Sequence, residues 1–238
     1  MSESPKLPSH IVFIVDGNRR WARNKGLPDW KGHARGAERV EEVSKAAINL
    51  GIEYVTFWGG SYDNLTKRSK TEIKYLDSKM YRYWAEKGIK DPFIKEKGVR
   101  VRFLGEWPDL LSSETVERIR EFEESTKKYS KHNLTYLIGY NGDREMLTAI
   151  KGILKDSPKT VTDNVLKSHL WTKDLPPVDL VVRTGEESTM GHLSNGFMMW
   201  DTKNAILNFN KKLWPDFNKN DLVKVLSSFS KQERRFGK

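Results

Sequence analysis

The chain has 238 residues, 37% of them hydrophobic and 31% charged, with no cysteine and a formal net charge of +10. This suits one globular domain, residues 1–238, with a substantial core, and it excludes disulfides, thiolate nucleophiles and cysteine-held zinc. No stretch has the apolar length needed to span a bilayer, and Met1 to Lys6 lack the apolar core of a secretory signal, so a cytosolic protein is expected.

The elements begin with Ile11-Val12-Phe13-Ile14-Val15, whose five apolar residues, four of them β-branched, predict a strand covered on both faces. Asp16-Gly17-Asn18-Arg19-Arg20-Trp21 then reads as the loop leaving its C-terminal end: glycine allows close backbone approach, and either arginine can grip phosphate oxygens in a planar fork. Val40, Val43, Ala47 and Leu50 recur at helical spacing up to Gly51, a C-cap. A strand over Tyr54 to Trp58 precedes a long helical stretch carrying Tyr75, Leu76, Met80, Tyr81, Tyr83 and Trp84. Next come a strand at Val101 to Leu104, a helix capped near Ser112 and Ser113, and a strand at Leu134 to Ile138. A helix through Met146, Leu147, Ile150, Ile153 and Leu154 leads to a surface segment, Ser157 to Asp163. A strand at Leu180 to Val182, a short one around Ala205 to Phe209 and a final helix through Leu222 to Phe229 complete the order.

Strands alternating with helices predict an α/β fold with a central, mostly parallel sheet flanked by helices. In such a sheet the loops after the first strand (Asp16 to Arg20), the second (Ser61 to Arg68) and the Leu180 strand (Arg183 to Glu186) share one rim. Several arginines with one or two carboxylates suit a diphosphate and a divalent metal. The positive charge asks for an anionic partner, whether nucleic acid, acidic membrane surface or phosphorylated substrate. No Walker A loop and no G-x-G-x-x-G follows any strand, which weakens nucleotide readings.

An ordered set of motifs runs almost end to end: His10 with Ile11 to Ala22, Gly32-His33 and Gly36, Ser61-Tyr62-Asp63-Asn64, Gly142-Asp143-Arg144, Asp179 to Gly185, Leu193-Ser194-Asn195 with Phe197 and Trp200, Leu213 to Phe217, and Arg234-Arg235-Phe236-Gly237. In these residues the chain resembles the cis-prenyltransferases, the family of undecaprenyl diphosphate synthase. The resemblance implies a hydrophobic tunnel, Mg²⁺ as cofactor, and repeated condensation of isopentenyl diphosphate with an allylic diphosphate primer. It implies Asp16, Asn18, Arg20 and Asn64 as catalytic residues, Asp16 holding the metal. It implies substrate contacts at Gly17, Arg19, Trp21, His33, Ser61, Tyr62, Asp63, Arg68, Arg183 and Ser194, and at Arg235 and Gly237 in a tail supplied by the partner subunit of a homodimer. Peripheral contact with the inner face of a membrane is a further expectation, and no nucleic acid is expected.

The chain departs from the family's pattern at four places. Ile206 stands where the family carries a metal-binding glutamate, His192 where it has a second arginine beside Leu-Ser-Asn, and Asp29 where it has an arginine. The arginine after Asn64 is matched by Lys67 or Arg68, and Glu186, Glu187 or Asp201 are candidates for the missing carboxylate. Two alternatives therefore stand beside the main reading: a short-chain or irregular synthase or partner-dependent subunit, and a basic nucleic-acid-binding protein, which would show steeply salt-dependent binding.

Overall fold

The structure is a computed structural model describing residues 6–186 and 191–232. Its elements, in chain order, are β1 (His10–Ile14), α1 (Asn18–Asn24), α2 (Asp29–Asn49), β2 (Tyr54–Gly60), α3 (Tyr62–Lys67), α4 (Lys70–Tyr75), a π-helical segment (Leu76–Arg82), α5 (Tyr83–Ile89), α6 (Pro92–Lys97), β3 (Val99–Leu104), α7 (Trp107–Leu110), α8 (Ser113–Thr126), β4 (His132–Ile138), α9 (Gly142–Asp156), α10 (Asp163–His169), β5 (Leu180–Arg183), β6 (Ile206–Phe209), a 3₁₀ turn (Trp214–Asp216) and α11 (Lys219–Ser230).

The strands form one six-stranded sheet in the order β3-β4-β2-β1-β5-β6. Every pairing is parallel, so the expected mostly parallel sheet is parallel throughout. β1 is buried along its whole length, as its unbroken apolar run predicted. Alternation along it divides the core. Ile11 and Phe13 face a cluster with Val43, Phe57, Trp214 and Leu222, while Val12 and Ile14 face another with Leu137, Val181 and Phe197. Phe13 stacks on Phe57 of β2 with ring centroids 4.9 Å apart.

The helices of six or seven residues that flank the site cannot stand on propensity, since isolated helices shorter than about 12–15 residues are marginal in water. Packing holds α1: it starts at Gly17, which adopts φ 108° and offers no side-chain cap, and it lies so close to α2 that a Cβ at Gly32 would stand 2.0 Å from the Asn18 carbonyl oxygen. A Cβ at Gly36 would stand 2.2 Å from Asn18 Oδ1.

Three expectations change. The hexapeptide Asp16 to Trp21, read as a loop, is loop only at Asp16 and Gly17, because Asn18 to Trp21 open α1, held by its packing on α2. The expected surface segment ends at Thr162, which caps α10 through its hydroxyl, so Asp163 is helical. The long helical stretch expected through Tyr75 to Trp84 is divided into α4, the π-helical segment and α5, and its apolar residues part: Leu76 and Tyr81 are buried, whereas Tyr83 is 61% exposed. Leu76 and Tyr81 are five residues apart, off-phase in an α-helix but in phase across a π-helical turn.

Candidate active site

Because the sheet is parallel, the loops after β1, β2 and β5 open on the same rim, and a cavity of about 560 Å³ lies there. Asp16 and Gly17 line it from the turn after β1, Asn18, Arg19 and Arg20 from the first turn of α1, Ser61, Asp63, Asn64 and Arg68 from the caps and first turn of α3, and Arg183 from the end of β5. His33 joins them from α2 and Ser194 from the segment before β6.

Asp16 is the pivot of the charged end. Its Oδ1 accepts from the Gly17 backbone N–H at 2.6 Å, and its Oδ2 lies 3.6 Å from a guanidinium nitrogen of both Arg20 and Arg183. Its backbone carbonyl is fixed by the Trp214 N–H at 2.9 Å and the Thr184 hydroxyl at 2.9 Å. Arg20 also donates to the Gly185 carbonyl, 2.5 Å away. Arg183, nearly buried, donates through Nη1 to the His192 carbonyl at 2.6 Å and to Ser194 Oγ at 3.1 Å.

A second group sits across the cavity. Glu72 Oε1 accepts from Arg68 Nη1 at 2.9 Å and lies 3.0 Å from His33 Nε2. Burial pushes the His33 pKa below its ordinary value, partly opposed by its hydrogen bond to Glu72, so the ring is neutral at pH 7. Burial also lowers the Arg68 pKa, with the Glu72 carboxylate opposing it, and leaves the guanidinium a cation. Glu72 escaped the sequence reading. The signals that could have found it are its i,i+4 spacing from Arg68 and the Ser69 cap three residues before it. Ser61 and Asn64 form a reciprocal capping box at the start of α3, which fixes both at the rim.

Buried polar atoms without a hydrogen-bond partner mark what this end lacks. They include Asn18 Oδ1, Arg68 Nε and Arg183 Nε, all on cavity-lining residues. Such atoms are costly to leave unmet, and Arg183 Nε faces only Glu186 Oε2, 3.6 Å away and too far for a hydrogen bond. Five arginines and two aspartates line the cavity, a net of three positive charges with His33 neutral. The other end is apolar, walled by Val40, Leu76, Met80, Tyr81 and Trp84.

Two expected contacts lie elsewhere. Trp21 does not line the cavity; its Nε1 donates to Asp216 at 2.8 Å and so ties α1 to the 3₁₀ turn. Tyr62 faces away under the Arg144 guanidinium, 3.7 Å from its ring centre. Arg235, Gly237 and Glu187 lie outside the described residues. The choice between Lys67 and Arg68 falls to Arg68: Lys67 points to solvent, paired with Asp63, and does not line the cavity.

The departures from the family pattern gain a geometry. Ile206 pairs with Leu180 whereas Phe209 pairs with Arg183, which puts position 206 three residues, roughly 10 Å, below the rim of its own chain. Asp201 is bound to Lys167 at 2.5 Å and does not line the cavity, so it cannot replace a rim carboxylate. Glu186 lies at the rim, its Oε2 3.6 Å from Arg183 Nε. Asp29 forms a two-point pair with the cavity-lining Arg23, at 2.9 and 2.7 Å.

Among the described residues no three His, Asp or Glu side chains converge as a metal cage. Mg²⁺ does not need one beside a diphosphate, since it commonly takes one or two carboxylates, phosphate oxygens and water. The half-exposed Asp16 carboxylate beside the cationic rim fits that mode.

With this geometry in hand, likeness to known proteins is informative. Residues 14–237 match a model of the family described as putative undecaprenyl diphosphate synthase. The chain is 37% identical to an isoprenyl transferase of Thermotoga maritima, over 98% of this chain and 97% of the relative. It is also 37% identical to a tritrans,polycis-undecaprenyl-diphosphate synthase (geranylgeranyl-diphosphate specific) of Pyrobaculum aerophilum, over 100% and 99%. Its fold is similar to that of lavandulyl diphosphate synthase from Lavandula x intermedia, solved in complex with dimethylallyl diphosphate, with a TM-score of 0.88, 25% identity, and 98% and 99% of the two chains covered.

Proposed function

The chain belongs to the undecaprenyl diphosphate synthase family, and we propose that it condenses isopentenyl diphosphate with an allylic diphosphate primer, in cis geometry, to build a polyprenyl diphosphate. The observation that carries this reading is one cavity with a cationic rim and an apolar interior, the shape of a ligand with a diphosphate head and a hydrocarbon tail.

The primer diphosphate sits against Arg20 and the Gly17–Arg19 backbone, with His33 and Arg68 beside it. Its hydrocarbon runs past Val40 and Leu76 toward Met80 and Trp84. Isopentenyl diphosphate takes Arg183 and Ser194, joined in a homodimer by the Arg235-Phe236-Gly237 tail of the partner subunit. The allylic C–O bond breaks and its electron pair leaves on the diphosphate, where fixed cations meet the developing charge. The isopentenyl alkene attacks the allylic carbon, the new C–C bond forms, and a proton is lost to restore a double bond. An amide cannot act as the base, so Asn64 orients and the departing diphosphate accepts the proton. Mg²⁺ would be held by Asp16 and would supply charge neutralisation on the diphosphate.

Leu147, Ile150 and Leu154 present an exposed apolar face on α9, and Met199 and Leu207 are exposed nearby and on β6, a surface suited to a second copy of the chain. No helix among the described residues is long and apolar enough to cross a membrane. Trp30, 41% exposed with Lys31 over its ring, suits peripheral contact of a cytoplasmic enzyme with an anionic inner leaflet.

The test is incubation of the purified chain with labelled isopentenyl diphosphate, Mg²⁺ and geranyl, farnesyl or geranylgeranyl diphosphate, with chain-length analysis of the extract. Discrete products that vanish with a chelator are expected. No product with any primer, from a folded dimer, would overturn the reading in favour of a partner-dependent subunit.

A further inference from the structure

The loop from β4 into α9 touches neither proposed substrate, for neither Asn141 nor Gly142 lines the cavity. It nevertheless grips both sides of it. Asn141 is buried, and its Oδ1 accepts the Tyr62 backbone N–H at 3.1 Å, at the first residue of the helix whose capping box fixes Ser61 and Asn64. Next in sequence, the Gly142 N–H donates to the Asn195 carbonyl at 2.9 Å, inside the turn that carries Ser194. A Cβ at position 142 would stand 1.8 Å from the Gly196 carbonyl oxygen, a backbone atom that cannot swing aside. The turn is already taut, with Asn195 at φ 51° and Met198 at φ 42°. Its outer end holds the Arg183 guanidinium through Ser194 Oγ.

We infer that Asn141 and Gly142 are positioning residues that buckle the Ser61–Asn64 rim to the Ser194–Arg183 rim and so set the spacing of the two substrate subsites. This rests on the proposed function for the identity of the substrates, though not for the geometry. The two residues act on different rims and so differ in consequence: Gly142 governs the Arg183 subsite, Asn141 the placement of Asn64.

Gly142→Ala is expected to raise KM for isopentenyl diphosphate about tenfold or more while the primer KM stays within about twofold, because displacements near 1 Å cost that much or more. Ser194→Ala on top of it should add less than it does alone, the sign of a shared path. Asn141→Ala should lower kcat instead, with activity restored in Asn141→Asp, which keeps the acceptor. If Gly142→Ala does not fold by circular dichroism, the Asn141 pair carries the test. Calorimetry with inorganic pyrophosphate separates this inference from the wider one. A native chain without prenyl transfer removes the proposed function, yet weakened pyrophosphate binding by Gly142→Ala would still support the buckle. Unchanged KM and pyrophosphate affinity in a folded Gly142→Ala, independent effects of Gly142→Ala and Ser194→Ala, or Asn141→Ala behaving like the native chain would overturn it.

Discussion

Asp16 shows how one side chain can be held ready for a task it does not perform alone. Its carboxylate stands 3.6 Å from two guanidinium groups, beyond hydrogen-bond contact, so neither arginine has a short bond to Asp16 to break when it meets a diphosphate. Asp16→Ala should therefore cut kcat on the order of 10²–10³-fold while primer Kd changes less than about tenfold, since the cations that bind phosphate remain. Single-turnover rates and calorimetry separate the two, and unchanged turnover would remove Asp16 from the mechanism. His10 yields a prediction about stability. Its ring contacts the Pro176 carbonyl at 2.9 Å and Thr56 Oγ1 at 2.9 Å, and burial pushes its pKa down to about 4, a hydrogen bond to Pro176 opposing. The unfolded chain, with the ordinary value near 6.5, binds the proton more readily below that pH. The native state should thus keep its full His10 contribution above pH 6.5 and lose about 3 kcal/mol between pH 6.5 and 4. Urea unfolding across that window should show a shallower acid decline in His10→Gln. Equal slopes would refute the assignment.

At the scale of elements, the run α4, π segment and α5 determines the apolar end of the cavity. The wider π turn brings Leu76, Met80 and Tyr81 to one side, and Trp84 follows from the first turn of α5. Trp84 also lines a second, small hollow with Phe93, Phe122, Leu134 and Tyr136, and its ring lies 4.3 Å from that of Tyr136. It is a partition between two apolar spaces. Trp84→Ala should join them and shift products toward longer chains, read by chromatography of the extracted polyprenols. The same product distribution as the native chain would show that another residue closes the cavity. The cost in stability should fall below the roughly 3–5 kcal/mol of a fully buried aromatic, because Trp84 is only partly buried, and a thermal melt will report whether the fold tolerates it.

For the whole molecule, the sheet order puts β6 at one edge, paired among the described residues with β5 alone, while α9 starts beside the Gly196 turn and carries an exposed apolar face. Edge strands and apolar faces are liabilities unless covered, and a second copy of the chain would cover both. If the proposed homodimer uses this face, Ile150→Glu with Leu154→Glu should leave a monomer in sedimentation where the native chain is dimeric, with little change in far-ultraviolet circular dichroism. Activity should fall with it, because the Arg235-Phe236-Gly237 tail acts across the interface in the proposed arrangement. A double variant that stays dimeric would place the interface elsewhere.

The sequence by itself determined the alternation of strands and helices and the loops that carry the charge. Those signals are local: unbroken β-branched runs, 3.6-residue periodicity, and arginines and carboxylates immediately after strands. Its ordered motifs also named the family before any geometry was known. The short helices α3, α6, α7 and α10 were not legible, because four to seven residues carry too little periodicity and are held by packing. Only the tertiary structure placed Glu72 between His33 and Arg68, turned Trp21 and Tyr62 out of the cavity, and put Asp201 onto Lys167. It alone brought Asn141 and Gly142 against two loops about eighty and fifty residues away. Such contacts depend on strand order and on which backbones approach within a carbonyl's width, and no local pattern encodes either.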